Sequence, residues 1–134
     1  MAGFTIGKVA KAAGVGVETI RFYEKKGLIQ QPVAEGTYRH YPQSVVERIR
    51  FIKRAQELDF SLAEILELLE LADRPDEDRS SVRAIARKKL EVIQERIAAL
   101  NQAEATLSSL AESCSGEGPV SGCPIIDAFF DKNK

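Results

Sequence analysis

The 134-residue chain has a single histidine, two cysteines and no apolar run near the roughly 18 residues that a membrane span needs. Each scarcity excludes something. The chain is not expected to enter a bilayer, and its start, Met1-Ala2-Gly3-Phe4, lacks the pattern of an export signal. The expected compartment is the reducing cytoplasm, where Cys114 and Cys123 stand as free thiols and not as a structural disulfide. With His40 the sole imidazole there is no Ser-His-Asp arrangement, and no phosphate-binding glycine loop is present, so no enzyme is expected. A tetrahedral zinc site is equally short of ligands, since His40 lies far from both cysteines in sequence.

Net charge is also small, −1, but it is unevenly spread. Residues 1–60 hold ten Lys/Arg against six Asp/Glu, whereas residues 61–134 hold nine against fourteen. A basic half joined to an acidic half predicts that one end meets a polyanion while the other does something else; chance segregation on a solvated surface gives the same totals.

The local signals are mostly helical. Thr5 is placed to cap a helix in which Ile6, Val9, Ala10 and Ala13 recur at helical spacing, and Gly14-Val15-Gly16 ends it. A second helix, Val17 to Lys25, stops at Gly27. Two short helices joined by a glycine turn are the signature of a helix-turn-helix. Extended stretches at Ile29–Pro32 and Thr37–Tyr41 flank Glu35-Gly36 and predict a small hairpin or wing. Helical periodicity resumes at Ser44, with Val45, Ile49, Ile52 and Leu58 as its apolar stripe. Ser61-Leu62-Ala63-Glu64 is a capping box opening a helix to Leu71 that buries Ile65, Leu66, Leu68 and Leu69. A polar break, Asp73–Asp78, follows.

Beyond the break, positions 86, 90, 93, 97, 100, 104, 107 and 111 step by four and three, and all but Glu104 are Ala, Leu or Ile. A helix from about Val82 to Glu112 would be ~45 Å long. Its narrow stripe either folds back on its own domain or, as we expect, pairs with a second copy, making residues 82–112 a homodimer seam. The expected fold class is mainly α: a winged helix-turn-helix domain (residues 1–75), a long dimerisation helix (80–112) and a short C-terminal loop and helix (113–134).

Phe4-Thr5-Ile6-Gly7-Lys8-Val9-Ala10-Lys11-Ala12-Ala13-Gly14-Val15, then Val17-Glu18-Thr19-Ile20-Arg21-Phe22-Tyr23-Glu24, resemble the opening of MerR-family regulators. The wing Gly36–Tyr41 and the stretches Phe51–Leu58 and Ser61–Ile65 are similar as well, so the resemblance covers nearly the whole chain. It implies a transcriptional regulator that binds double-stranded operator DNA as a dimer, represses, and on binding its effector distorts the DNA so that RNA polymerase engages. Arg21 and Tyr23, near the middle of the second helix, would meet the major groove. Arginine offers a planar fork to guanine or phosphate, and tyrosine a hydroxyl to phosphate. The other reading of Tyr23 is a core aromatic, and Phe22 is expected in the core. Tyr38 and Arg39 of the wing would grip the flanking backbone, as the resemblance implies, with Lys53 and Arg54 helping from the next helix.

At the other end, Gly116, Gly118 and Gly122 let the segment between Cys114 and Cys123 fold back, and Pro124 favours a short helix capped by Cys123. The start of a helix favours a thiolate. Two unrelated thiols are the plain alternative. The Cys-x8-Cys loop with proline after the second cysteine resembles the metal-sensing loop of the family. Two soft sulfurs suit a thiophilic ion content with linear coordination, Hg(II) or Cu(I). The family's mercury and other divalent sensors carry a third cysteine near the start of the dimer helix. Arg79 holds that place here, and it cannot ligate a metal. The loop spacing points to Hg(II), and Arg79 points to a monovalent ion; Hg(II) is the expected effector, with Cu(I) next. A thiol-based redox-responsive regulator is the alternative function.

Overall fold

The computed structural model describes residues 3–30, 33–35 and 38–130, with side chains omitted for the short strands up to Arg39. Among them are six helices and one hairpin: α1 (Ile6–Ala13), α2 (Val17–Lys25), β1 (Val33–Glu35), β2 (Tyr38–His40), α3 (Ser44–Glu57), α4 (Leu62–Ala72), α5 (Arg79–Ser113) and α6 (Pro124–Phe129). The chain divides into two compact units, residues 1–86 and 87–134, with α5 running from the first into the second.

The helix boundaries follow from local chemistry. Thr5 caps α1, its hydroxyl oxygen accepting from the Lys8 amide at 3.3 Å. Gly14 ends it with φ of 73°, a left-handed conformation that costs glycine little and a side-chain-bearing residue more. Ser61 and Glu64 form the expected capping box: Oγ of Ser61 accepts from the Glu64 amide at 3.2 Å, and the Ser61 amide donates to Oε1 of Glu64 at 2.8 Å. Such a cap stabilises a helix by about 1 kcal/mol. The long helix α5 starts at Arg79, a turn before the expected Val82, because Asp78 Oδ1 accepts from the Ser80 amide at 3.2 Å.

The core lies entirely in the first unit. Val9, Ala10 and Ala13 of α1 meet Ile20 and Tyr23 of α2, Leu28 and Ile29 after it, the Val45-Val46-Ile49-Ile52 face of α3, and Ile65 and Leu69 of α4. Leu66 and Leu68 are only half-buried. Leu58 departs from the expected stripe and is exposed, since α3 ends at Glu57 and the chain turns through Asp59 at positive φ. The hairpin pairs Val33 with His40, Ala34 with Arg39 and Glu35 with Tyr38, antiparallel. Its first arm is therefore Val33–Glu35 and not Ile29–Pro32. A pair at Glu35↔Tyr38 leaves only residues 36 and 37 for the turn, so the arm must abut it, and Ile29 is free to fill the core. Gln31, Pro32, Gly36 and Thr37 lie outside the described residues. At the hairpin's base Phe4 and Tyr41 exchange backbone hydrogen bonds of 2.9 and 2.8 Å, and the buried Tyr41 donates its hydroxyl to the Glu24 carboxylate of α2.

None of the 35 residues of α5 is buried. Val82, Leu90, Ile97, Leu100 and Leu107 expose between 44% and 68% of their surface, which water disfavours on one helix. Among the described residues no helix is long and apolar enough to cross a membrane.

Candidate functional site

Two regions concentrate functional chemistry, one in each unit. In the first, α2 presents Arg21 to solvent, with the guanidinium 3.4 Å from Glu18, itself exposed. An exposed pair of this kind is weak, so Arg21 is available to a stronger anion. Arg54 on α3 is exposed and makes no hydrogen bond or ion pair among the described residues. Tyr38 and Arg39 sit on β2, where Arg39 pairs with Ala34; their side chains lie outside what the structure describes.

Tyr23 is a correction. Its side chain is 4% exposed, and its hydroxyl donates to Oε1 of Gln56 on α3 at 3.2 Å. Burial raises its pKa above the usual tyrosine value, so it stays neutral. The ring belongs to the core and joins α2 to α3. Phe22, expected inside, is instead 44% exposed. The helical period carried the signal: Tyr23 follows Ile20 by three positions, on the buried side, and Phe22 follows it by two.

Lys53 is also placed differently from expectation. Its ammonium donates to the carbonyl of Gly14 at 3.1 Å and to that of Ala13 at 3.5 Å. Arg50, one turn earlier on α3 and missed in the sequence, donates to the carbonyl of Ala12 at 3.0 Å. Three successive carbonyls at the end of α1 are thus held by two cations, at the pole of the helix where positive charge is favourable. These side chains fix the turn of the helix-turn-helix against α3, whereas Arg21 and Arg54 stay exposed, where an anion can reach them. The i, i+3 spacing of two basic residues on α3 was the only sequence cue. A second clamp, between Arg48 and Asp73 at 2.9 and 3.4 Å, ties α3 to the end of α4.

In the second unit, α5 ends at Ser113 and the chain folds back through residues 114–122. Gly118, with φ of 96°, allows the reversal. Cys123 caps α6 with Pro124 in its first turn, as expected. Both cysteines are free and half-buried. The structure brings them together, close enough for the Cys114 side chain to help lower the pKa of the Cys123 thiol. The Cys123 thiol is held below its ordinary pKa, first by the backbone N–H of Ile126 and then by that of Ile125, with Cys114 adding to the effect. Partial burial and the Asp127 carboxylate oppose this. The result is a pair of soft donors, one of them favoured as thiolate. No group of three or more His, Cys, Asp or Glu placed to hold a metal occurs among the described residues. Arg79 occupies the first position of α5 and is exposed.

The profile described as "MerR HTH family regulatory protein" matches residues 4–72, and that described as "MerR, DNA binding" matches residues 46–110. A "Mercuric resistance operon regulatory protein" of Pseudomonas fluorescens is 46% identical over 123 residues, spanning 91% of this chain and 84% of the relative. Among solved structures, the lead(II) complex of the transcription regulator PbrR691 from Ralstonia metallidurans CH34 superposes with a TM-score of 0.84 at 32% identity, covering 94% of this chain and 98% of that one. The mercury(II) complex of a regulator from Bacillus megaterium MB1 does so with a TM-score of 0.67 at 37% identity, covering 96% and 100%.

Proposed function

The chain belongs to the MerR family of helix-turn-helix regulatory proteins, and from that premise we propose that it is a dimeric, metal-responsive regulator of a metal-resistance promoter. Its relatives are regulators and not enzymes, so the chain acts by binding. The observation that carries the reading is the thiol pair: the loop after α5 brings Cys114 to Cys123 at the start of α6, whose opening amides favour the thiolate of Cys123. Two sulfurs with no third ligand grouped beside them among the described residues fit a soft ion of low coordination number better than tetrahedral zinc. Hg(II) is the favoured effector, supported by the likeness to a mercuric-operon regulator and to a mercury complex. Cu(I) comes next, because Arg79 supplies no third sulfur. Cys114 and Cys123 would hold such an ion, which would supply a soft Lewis acid there. Through it Cys114 would tie the end of α5 to the start of α6.

At the other end, α2 enters the major groove of double-stranded operator DNA with Arg21 foremost, while Arg54 and the wing residues Tyr38 and Arg39 hold the flanking backbone. Most of these contacts position the protein, because phosphates are alike in every sequence. Residues 82–112 form the dimer seam, which covers the apolar side chains α5 leaves in water. The regulatory output is a change of operator shape that RNA polymerase reads, with a deformation energy of order a few kcal/mol.

The test is a titration of the full-length protein with Hg(II), Cu(I), Ag(I), Cd(II), Pb(II) and Zn(II), each in competition with a soft chelator, followed by X-ray absorption. Hg(II) should bind tightest with a metal–sulfur count of two; a count of three or four overturns the site. The two neighbouring free thiols also favour a second reading, a redox-responsive regulator in which Cys114 and Cys123 form a reversible disulfide. Counting free thiols before and after operator response, with and without metal, separates the two.

A further inference from the structure

We propose that Phe22 is a base-reading residue whose ring contacts the C5 methyl of a thymine in the major groove, an inference that rests on the DNA-binding reading above. Residues 18, 21, 22 and 25 of α2 recur at helical spacing and share one face. Glu18, Arg21, Phe22 and Lys25 are all exposed, as is Lys26, whereas Ile20 and Tyr23 on the other side are buried. The phenyl ring is therefore displayed on the same face as Arg21.

The fold makes little use of that ring. Its neighbours are Tyr23, with ring centroids 6.3 Å apart and tilted by 50°, and the Lys26 ammonium, 5.5 Å from the Phe22 centroid. The second contact is a cation–π arrangement that orients the ring and leaves it 44% exposed. Charge identifies the occupant of this face. Arg21, Lys25 and Lys26 stand against one carboxylate, Glu18, so the surface complements a polyanion and not an apolar protein partner. In a paired duplex the bases are stacked, which leaves a phenyl ring nothing to stack on, and it has no hydrogen bond to give. The one apolar group that the major groove displays is the thymine methyl. Phe22 thus distinguishes thymine from cytosine, while the cations beside it take the phosphates.

The experiment uses the full-length protein and the duplex it enriches from a random-sequence pool. Each thymine of that duplex is replaced in turn by deoxyuridine, which removes the methyl and keeps the pairing. Wild type should lose about fourfold in affinity at one thymine of each half-site, the effect of one buried methyl-sized group. Phe22→Ala should show no loss there, Arg21→Ala should still show about the same fourfold loss, and Phe22→Leu, which keeps apolar bulk and checks folding, should retain part of it. A wild type that enriches a duplex yet ignores every methyl, or a Phe22→Ala variant that stays sensitive, overturns the assignment of Phe22 alone. A wild type that enriches no duplex overturns the DNA-binding reading and this inference with it.

Discussion

Cys123 is half-exposed at the start of a six-residue helix, and its thiol is shifted by the two amides that point at it. The sign of the consequence is fixed by linkage. An acid whose pKa falls on folding holds its proton less tightly in the folded chain, so its contribution to stability is present above the unfolded value and is lost as pH falls through the folded one. Near neutral pH the folded chain therefore carries more Cys123 thiolate than the unfolded chain does. Iodoacetamide should modify Cys123 faster in the native, metal-free protein than in urea at the same pH, read by mass spectrometry of the digested protein. Equal rates, or a faster reaction in urea, would remove the role given to α6. Replacing either Cys114 or Cys123 by serine should abolish the metal response and leave operator affinity nearly unchanged, because a hydroxyl does not replace a thiolate for a soft ion. Both cysteines were legible in the sequence, since Pro124 and the loop glycines dictate the fold-back. The aromatic pair was not read correctly. Phe22 and Tyr23 are adjacent, and a polar hydroxyl suggested that tyrosine would face outward; a partner 33 positions away, Gln56, satisfies that hydroxyl inside.

Elements were read more reliably than faces. Caps at Thr5 and Ser61 and the stop at Gly14 are local chemistry, so α1, α2 and α4 start or end where their sequences dictate. The hairpin arm moved because strand register depends on a pairing that three residues per strand barely encode. The clamp on α1 was illegible because its cations and carbonyls are 38 to 40 positions apart. It has a measurable signature. The slope of log affinity against log salt counts neutralised phosphates. Arg54→Gln should therefore flatten that slope by about 1, whereas Lys53→Gln should weaken operator binding with the slope unchanged. A flattened slope for Lys53→Gln would return it to the DNA surface. For α5, Ile97→Glu or Leu100→Glu places a charge where the proposed seam is apolar, and a buried unpaired charge is costly. Either variant should sediment as a monomer and lose operator binding. An intact dimer would mean that the exposed stripe serves something else.

At the scale of the whole chain, the basic first half holds the exposed cations of α2 and α3, and the acidic second half holds the two thiols. The division was legible from composition, and the fold-back that brings Cys114 to Cys123 from the loop glycines; the path the loop takes needed the backbone. That path has a further consequence. At Gly118 an added Cβ would meet nothing within 4 Å, so the only penalty of Gly118→Ala is the left-handed backbone, about 1–2 kcal/mol. The penalty falls on the closed loop and on no contact with DNA. A reporter dose–response curve should keep its maximum and shift its midpoint about tenfold toward higher metal; an unshifted midpoint would show that the loop closes by another route. On the proposed reading, the metal concentration that triggers the response is thus set in part by a residue that has no side chain.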